Sequence, residues 1–166
     1  MYDFKPETPL APEELYRELL AAAGALTDGE PDAVANMANV AALLWEFLPD
    51  LNWAGFYRVA PVKGGGADEL VLGPFVGRPA CIRIPFGKGV CGAAAESRAT
   101  QLVTDVHAFP GHIACDAASA SELVVPVLRD GAVIAVIDLD SPSPARFTEA
   151  DAKGIESLAA LLSDRI

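Results

Sequence analysis

The 166 residues predict an α+β fold. A central antiparallel sheet is flanked by helices, and the N- and C-terminal helices pack on one of its faces. Three observations carry this reading. Long helical periodicity is confined to the two ends of the chain. The extended segments between them come in pairs joined by short polar turns. One of these turns is Asp130-Gly131, a tight-hairpin signal that forces its two strands antiparallel.

The first helix is APEELYRELLAAAGAL. Pro12 suits a first turn, acids follow it, Leu15, Leu19 and Leu20 recur at helical spacing, and Gly24 lies near the C-terminal end. The second runs from about Pro31 to Leu48, with Val34, Met37, Ala38, Ala41, Leu44, Trp45 and Leu48 as its apolar stripe and Pro49 as its stop. Residues 52–60 form the first strand; Trp53, Gly55, Tyr57 and Val59 point one way, and Ala54, Phe56 and Arg58 the other. KGGGAD is a flexible turn into the partner strand ELVLGPFVG. ACIRIPF is a third extended piece, GKGVCGAAAESR a short helix of small residues, and TQLVTDV another short strand. An irregular segment follows, from about His107 to Ser121. ELVVPVLR and AVIAVIDLD are the strands around Asp130-Gly131, and Pro126 puts the first near an edge or a bulge. FTEADAKGIESLAALLSDRI is the last helix. Thr148 and Asp151 stand at capping-box spacing, and Ile155, Leu158, Ala159 and Leu162 form its apolar face. No repeat or linker divides the chain, which reads as one domain over residues 1–166. The short helix and the irregular segment would cover the second face of the sheet and enclose a pocket there.

Composition narrows the function. At 52% hydrophobic residues the chain can bury a core, which excludes the disordered class. A formal net charge of -11 repels phosphate backbones and gives no basic surface for lipid headgroups, so neither nucleic acid nor membrane is expected as a partner. The N-terminus lacks a basic segment followed by an apolar one, and no run of about 18 uncharged apolar residues occurs, so the expected location is the cytoplasm. Three cysteines, an odd number in a reducing compartment, argue against a structural disulfide framework. The default for each is a small buried hydrophobe.

Cys91 follows Gly-Lys-Gly-Val at the start of a helix, where the dipole favours a thiolate. Cys81 lies near a strand start. Cys115 lies in the irregular segment, after His112 and directly before Asp116, a carboxylate that disfavours its thiolate. No CxxC pair is present. Zinc on three cysteines with His107 or His112 would need a spacing unlike knuckles or fingers, so no metal is expected. A triad of Cys115, a histidine and an acid stays open as a thiol-hydrolase arrangement. Gly87-Lys88-Gly89 lacks the rest of a P-loop, and the GxSxG, HExxH and GxGxxG signatures are absent. Asp138 and Asp140 end a strand two residues apart and share a face. Glu122 opens the partner strand, so three acids meet at one end of the hairpin, beside the Cys115 segment. Like charges so placed raise each other's pKa and hold a proton near neutrality. Trp53 and Tyr57 either pack the core or wall a ligand pocket.

The segments NWAGFYRV, LVLGPFVGRPACIRIPFGKGVCGAAA, DVHAFPGHIACDAASASELVVPV and VIAVIDLDSPSPARFTEAD together resemble the free methionine-(R)-sulfoxide reductases. These are single GAF domains that reduce the R-sulfoxide of the free amino acid. The resemblance runs from about Asn36 to the C-terminus. It implies a six-stranded antiparallel sheet and a homodimer. It implies Cys115 as the nucleophile that attacks the sulfoxide, Cys81 as the resolving cysteine, and Cys91 as an accessory or alternative resolver. Glu122, Asp138, Asp140 and Asp105 would line the substrate pocket, and Trp53 and Tyr57 would enclose the methyl-sulfoxide end. No bound cofactor is implied; thioredoxin or another dithiol would supply electrons, in a role protecting against oxidative damage.

The implied chemistry agrees with the residues. Carboxylates bind the ammonium of a free amino acid. A clustered carboxyl of raised pKa can protonate the departing oxygen. Attack by cysteine leaves a sulfenic acid, which a second cysteine converts to a disulfide open to exchange. Two other readings compete. A non-enzymatic ligand-sensing GAF module is weakened by the lack of an appended output domain and by three cysteines that sensing does not require. A structural or zinc-binding protein is the other.

Overall fold

The computed structural model describes residues 4, 8, 10–62, 65–111 and 117–166. In chain order these form α1 (Pro12–Leu26), α2 (Ala33–Phe47), β1 (Trp53–Ala60), β2 (Glu69–Gly77), β3 (Arg83–Pro85), α3 (Gly89–Ser97), β4 (Gln101–Val103), a 3-10 turn (Val106–Ala108), β5 (Ser121–Arg129), β6 (Ala132–Ser141) and α4 (Glu149–Leu162). The strands make one six-stranded sheet, ordered β3-β2-β1-β6-β5-β4, and every neighbouring pair is antiparallel. The chain thus has the α+β architecture that its element order predicts. In the turn between β5 and β6, Asp130 and Gly131 both have positive φ (53° and 78°), as a tight two-residue hairpin turn requires.

Two cores lie on opposite faces of the sheet. On one face α1, α2 and α4 bury Leu19, Met37, Leu44, Ile155 and Leu158 against Phe56, Leu123, Ile137 and Leu139. The terminal helices therefore do share a face. On the other face α3 packs Val90, Cys91 and Ala94 against Trp53, Tyr57, Val124 and Val136. The alternation along β1 sorts its side chains as expected: Phe56 joins the first core, Trp53 and Tyr57 the second.

Local chemistry fixes the helix ends. Thr148 and Asp151 complete a reciprocal capping box at the start of α4. The Tyr16 hydroxyl of α1 donates to Asp151 Oδ1 at 2.6 Å, tying α1 to that cap. Burial pulls the Asp151 carboxyl upward, but hydrogen bonds from Tyr16 and Thr148 and the Arg146 charge outweigh it and hold it below the usual range.

Gly24 lies near the C-terminal end of α1, as its position predicts. One expectation changes in detail. In α2 the buried face is Asn36, Met37, Val40, Ala41, Leu43, Leu44 and Phe47, continued by Leu48 at its end, whereas Val34 and Trp45 are 52% and 40% exposed and Ala38 is exposed. The last three lie a quarter-turn or more around the helix from the centre of that face. Pro126 lies beyond the reach of β4, which pairs β5 only as far as Val124, and a register shift follows between Val127 and Leu128, so Pro126 stands beside an unpaired edge and a bulge as its residue type predicts.

Candidate functional site

Strand register builds the site in two rows across the sheet face beneath α3. One row reads Val103, Glu122, Asp140, Trp53, Gly77, each residue directly opposite the next on the neighbouring strand. The adjacent row reads Gln101, Val124, Asp138, Gly55, Phe75. Residues opposed in an antiparallel pair point to the same side. Glu122, Asp138 and Asp140 therefore share one face with Trp53 and Phe75; the two-residue spacing predicts this for Asp138 and Asp140, and the register shift in the β5–β6 pair brings Glu122 to the same face.

Gly55 makes the second row possible. A Cβ there would lie 2.4 Å from Phe75 Cβ and 2.7 Å from Phe75 Cα, closer than carbon atoms pack. Without a side chain at residue 55, β2 closes on β1 and Phe75 stacks on Trp53 with ring centroids 5.2 Å apart and planes 12° apart. Tyr57 stacks on the other side of Trp53, at 5.8 Å and 23°. The indole N–H donates to the Arg78 carbonyl at 3.2 Å, which fixes the ring's orientation. Phe75 is the member of this aromatic wall that sequence reasoning missed. Phe75 faces the one glycine of β1 through a register set by a bulge between Gly55 and Tyr57, which the sequence does not signal.

Above this floor the third residue of α3 supplies Cys91, whose thiol donates to Glu122 Oε1 at 4.0 Å. Cys91, Glu122 and Asp138 are all buried. Burial pushes the Glu122 carboxyl well above the usual carboxylate range, and the charges of Asp138 and Asp140 push it the same way. Burial raises Asp138 to about 7, opposed by hydrogen bonds from Cys91 and Glu122. Two interacting acids so close titrate as a pair, and the pair keeps a proton at neutral pH. Burial also raises the Tyr57 hydroxyl, and Asp138, Cys91, Asp140 and Glu122 reinforce it, so Tyr57 remains a protonated donor.

The helix start does not make Cys91 a thiolate. Burial, then Asp138 and Glu122, hold its pKa well above the usual thiol value. A helix N-terminus contributes about 0.3–1 kcal/mol to a nearby anion, whereas desolvating an ion costs several kcal/mol. Cys91 is a neutral thiol here, contrary to the expectation from its position.

Asp138 Oδ1 is buried and has no hydrogen-bond partner. An acceptor in that state is costly unless a ligand brings a donor to it. One ligand atom each from Cys91, Glu122 and Asp138 lie within 4.8 Å of one another, a sulfur and two oxygens that suit a divalent ion as well as an ammonium.

The other predicted residues are placed as follows. Cys81 is half-buried just before β3 and is disulfide-bonded, while Cys91 is free. The default of three inert reduced cysteines does not hold for Cys81. Asp105 is exposed, and its Oδ1 accepts from the His107 backbone N–H at 2.9 Å, capping the 3-10 turn. Cys115 and His112 lie outside the described residues. Among the described residues no helix is long and apolar enough to cross a membrane.

A GAF-domain family model matches residues 11–166. Protein YtsP of Bacillus subtilis is 51% identical over 150 residues, 90% of each chain. The free methionine-R-sulfoxide reductase of Escherichia coli is 48% identical over 149 residues, covering 90% of this chain and 87% of its own. Among solved structures, the free methionine-R-sulfoxide reductase of Neisseria meningitidis in complex with its substrate superposes with a TM-score of 0.89 at 45% identity, covering 97% of this chain and 93% of that one.

Proposed function

The chain belongs to the free methionine-R-sulfoxide reductases of the GAF-domain family, and we propose that it reduces free L-methionine-(R)-sulfoxide to methionine through a cysteine sulfenic acid. One observation carries the reading beyond kinship. A buried, proton-holding pair, Glu122 and Asp138, with the half-buried Asp140 beside it, faces a stacked aromatic wall of Trp53, Phe75 and Tyr57. The substrate carries complementary features at its two ends: an ammonium for the carboxylates and a methyl-sulfoxide for the aromatic wall.

The roles follow from this fit. Asp138 and Asp140 anchor the ammonium. Glu122, with its raised pKa, delivers a proton to the sulfoxide oxygen. Tyr57 donates a hydrogen bond beside it. Asp105 contributes by setting the turn that leads into the Cys115 segment. Cys115 attacks the sulfoxide sulfur; oxygen passes to the cysteine, giving sulfenic acid and methionine. Cys81 then condenses with the sulfenic acid, releasing water and forming a disulfide. The Cys81 disulfide with Cys91 free supports Cys81 as the resolving partner and leaves Cys91 an accessory thiol.

A dithiol such as thioredoxin returns the pair to thiols in the cytoplasm, with no bound cofactor. A homodimer is part of the same reading; the exposed Val34, Ala38 and Trp45 face of α2 is apolar surface that such an interface would use. The test is methionine release from the free R-sulfoxide with dithiothreitol as reductant. Turnover of the R-epimer alone is expected. Reaction confined to the S-epimer or to peptide-bound sulfoxide would overturn the assignment.

A further inference from the structure

Ile82 follows the disulfide-bonded Cys81 and is 71% exposed, the most exposed large hydrophobic among the described residues. Single exposed apolar residues are ordinary on protein surfaces. Three further observations set this one apart. Its carbonyl accepts from the Leu72 N–H at 3.0 Å, so its backbone is pinned to β2 while its side chain stands in solvent. It lies at the entry to β3, the edge strand of the sheet. And it lies within a stretch of unusual charge. The chain has 23 acids and 12 basic residues, yet residues 70–95 contain no Asp or Glu and include Arg78, Arg83 and Lys88. All three basic side chains are exposed, and Arg83 is paired with Glu69. An acidic protein thus presents, beside its disulfide, an apolar knob flanked by Arg78, Arg83 and Lys88, with Glu69 paired to Arg83 and the Glu96 carboxylate close to Gly87.

Resting on the reductase reading above, we propose that Ile82 is the docking point for the protein that reopens the Cys81 disulfide. The partner is a dithiol oxidoreductase with an apolar surface around its reactive cysteine and acidic residues at the rim. Thiol–disulfide exchange needs direct access of the attacking thiolate to a disulfide sulfur, so such a partner must rest on residues beside Cys81. Its first thiolate attacks Cys81 Sγ, forming a mixed disulfide and releasing the other sulfur of the pair as a thiol after protonation. Its second thiol attacks its own first sulfur, releasing Cys81 as a thiol. Two electrons and two protons pass to this chain, and the partner leaves as a disulfide. Ile82 supplies apolar contact, and the basic flank, with Lys88 at its far end, draws an acidic rim and speeds encounter.

The experiment measures the rate at which the oxidised protein's Cys81 disulfide is reopened by reduced thioredoxin and, separately, by dithiothreitol. It needs no sulfoxide turnover, so its failure is distinguishable from failure of the reductase reading, which the methionine-release assay tests. Ile82→Ser is expected to slow reduction by thioredoxin about tenfold at limiting concentration, a hot-spot loss, and to leave the dithiothreitol rate within about twofold. Ile82→Val should retain most of the thioredoxin rate. Lys88→Glu should slow thioredoxin and flatten the dependence of that rate on salt. An unchanged thioredoxin rate in Ile82→Ser, or equal losses with both reductants, would overturn the proposal.

Discussion

Glu122 and Asp140 stand directly opposite each other on β5 and β6, and Asp138 lies one row along on the same face. A soluble domain seldom buries such a group, because each ionised carboxylate is desolvated and repels the next. The native state answers by holding a proton, which ties stability to pH.

The sign follows from the raised pKa values of Glu122 and Asp138. The folded chain binds protons more tightly than the unfolded chain, so stability falls as pH rises from the ordinary carboxylate range, about 4, through the folded value near 7. Asp138→Asn removes part of this penalty. Its melting temperature should exceed that of the wild type by several °C at pH 8, since about 1 kcal/mol moves a domain of this size by about 2–4 °C. The gap should close near pH 4.5. Parallel melting curves across that range would contradict the shared-proton account.

Glu122→Gln and Asp140→Asn test the roles of the acids in the reaction. Each is expected to lower kcat/KM for free methionine-(R)-sulfoxide by about 10²-fold or more, the usual loss of a general acid or an ionic anchor. The two should differ in form. Loss of the anchor raises KM, whereas loss of the proton donor lowers kcat. Near-native values for both would remove the carboxylates from the mechanism.

Much of this site was legible in the sequence because its geometry is a matter of register. Asp130-Gly131 fixes the β5–β6 hairpin and brings Glu122 to the same end as Asp138 and Asp140, but straight counting from the turn pairs Glu122 with Leu139, and only the register shift between Val127 and Leu128 moves it opposite Asp140. Period-two alternation then puts Asp138 on the same face. Two features escaped. The β1–β2 register depends on a bulge between Gly55 and Tyr57, which no local signal fixed, so Phe75 could not be matched to Gly55. The state of Cys91 escaped because a helix start, visible in sequence, is a weaker influence than burial against two carboxyls, which only the tertiary fold creates. Apolar character puts Val34 and Trp45 in the stripe of α2, but apolar character alone does not tell a core face from an exposed one.

Gly55→Ala should be disruptive out of proportion to its one methyl group. The added carbon meets Phe75 Cβ at 2.4 Å, and strand pairing leaves neither side room to yield. A loss of about 1–3 kcal/mol in denaturant unfolding is expected from overpacking, together with a weakened Trp53–Phe75 stack. Unchanged near-UV circular dichroism would show that β2 does not depend on this contact.

The neutral, buried Cys91 thiol should resist alkylation. Under native reducing conditions at pH 7.5, iodoacetamide followed by peptide mapping should leave Cys91 unmodified, and unfolding in guanidinium should restore its labelling. Rapid native labelling at Cys91 would mean that the acid cluster does not suppress its thiolate.

The most direct test of the central claim is a single turnover without external reductant. Reduced protein is mixed with one equivalent of free L-methionine-(R)-sulfoxide, quenched, and mapped by mass spectrometry. The account predicts one methionine released per chain and a disulfide joining Cys115 to Cys81, with Cys91 still a thiol. Absence of methionine, or a new disulfide that includes Cys91 and excludes Cys81, would contradict it.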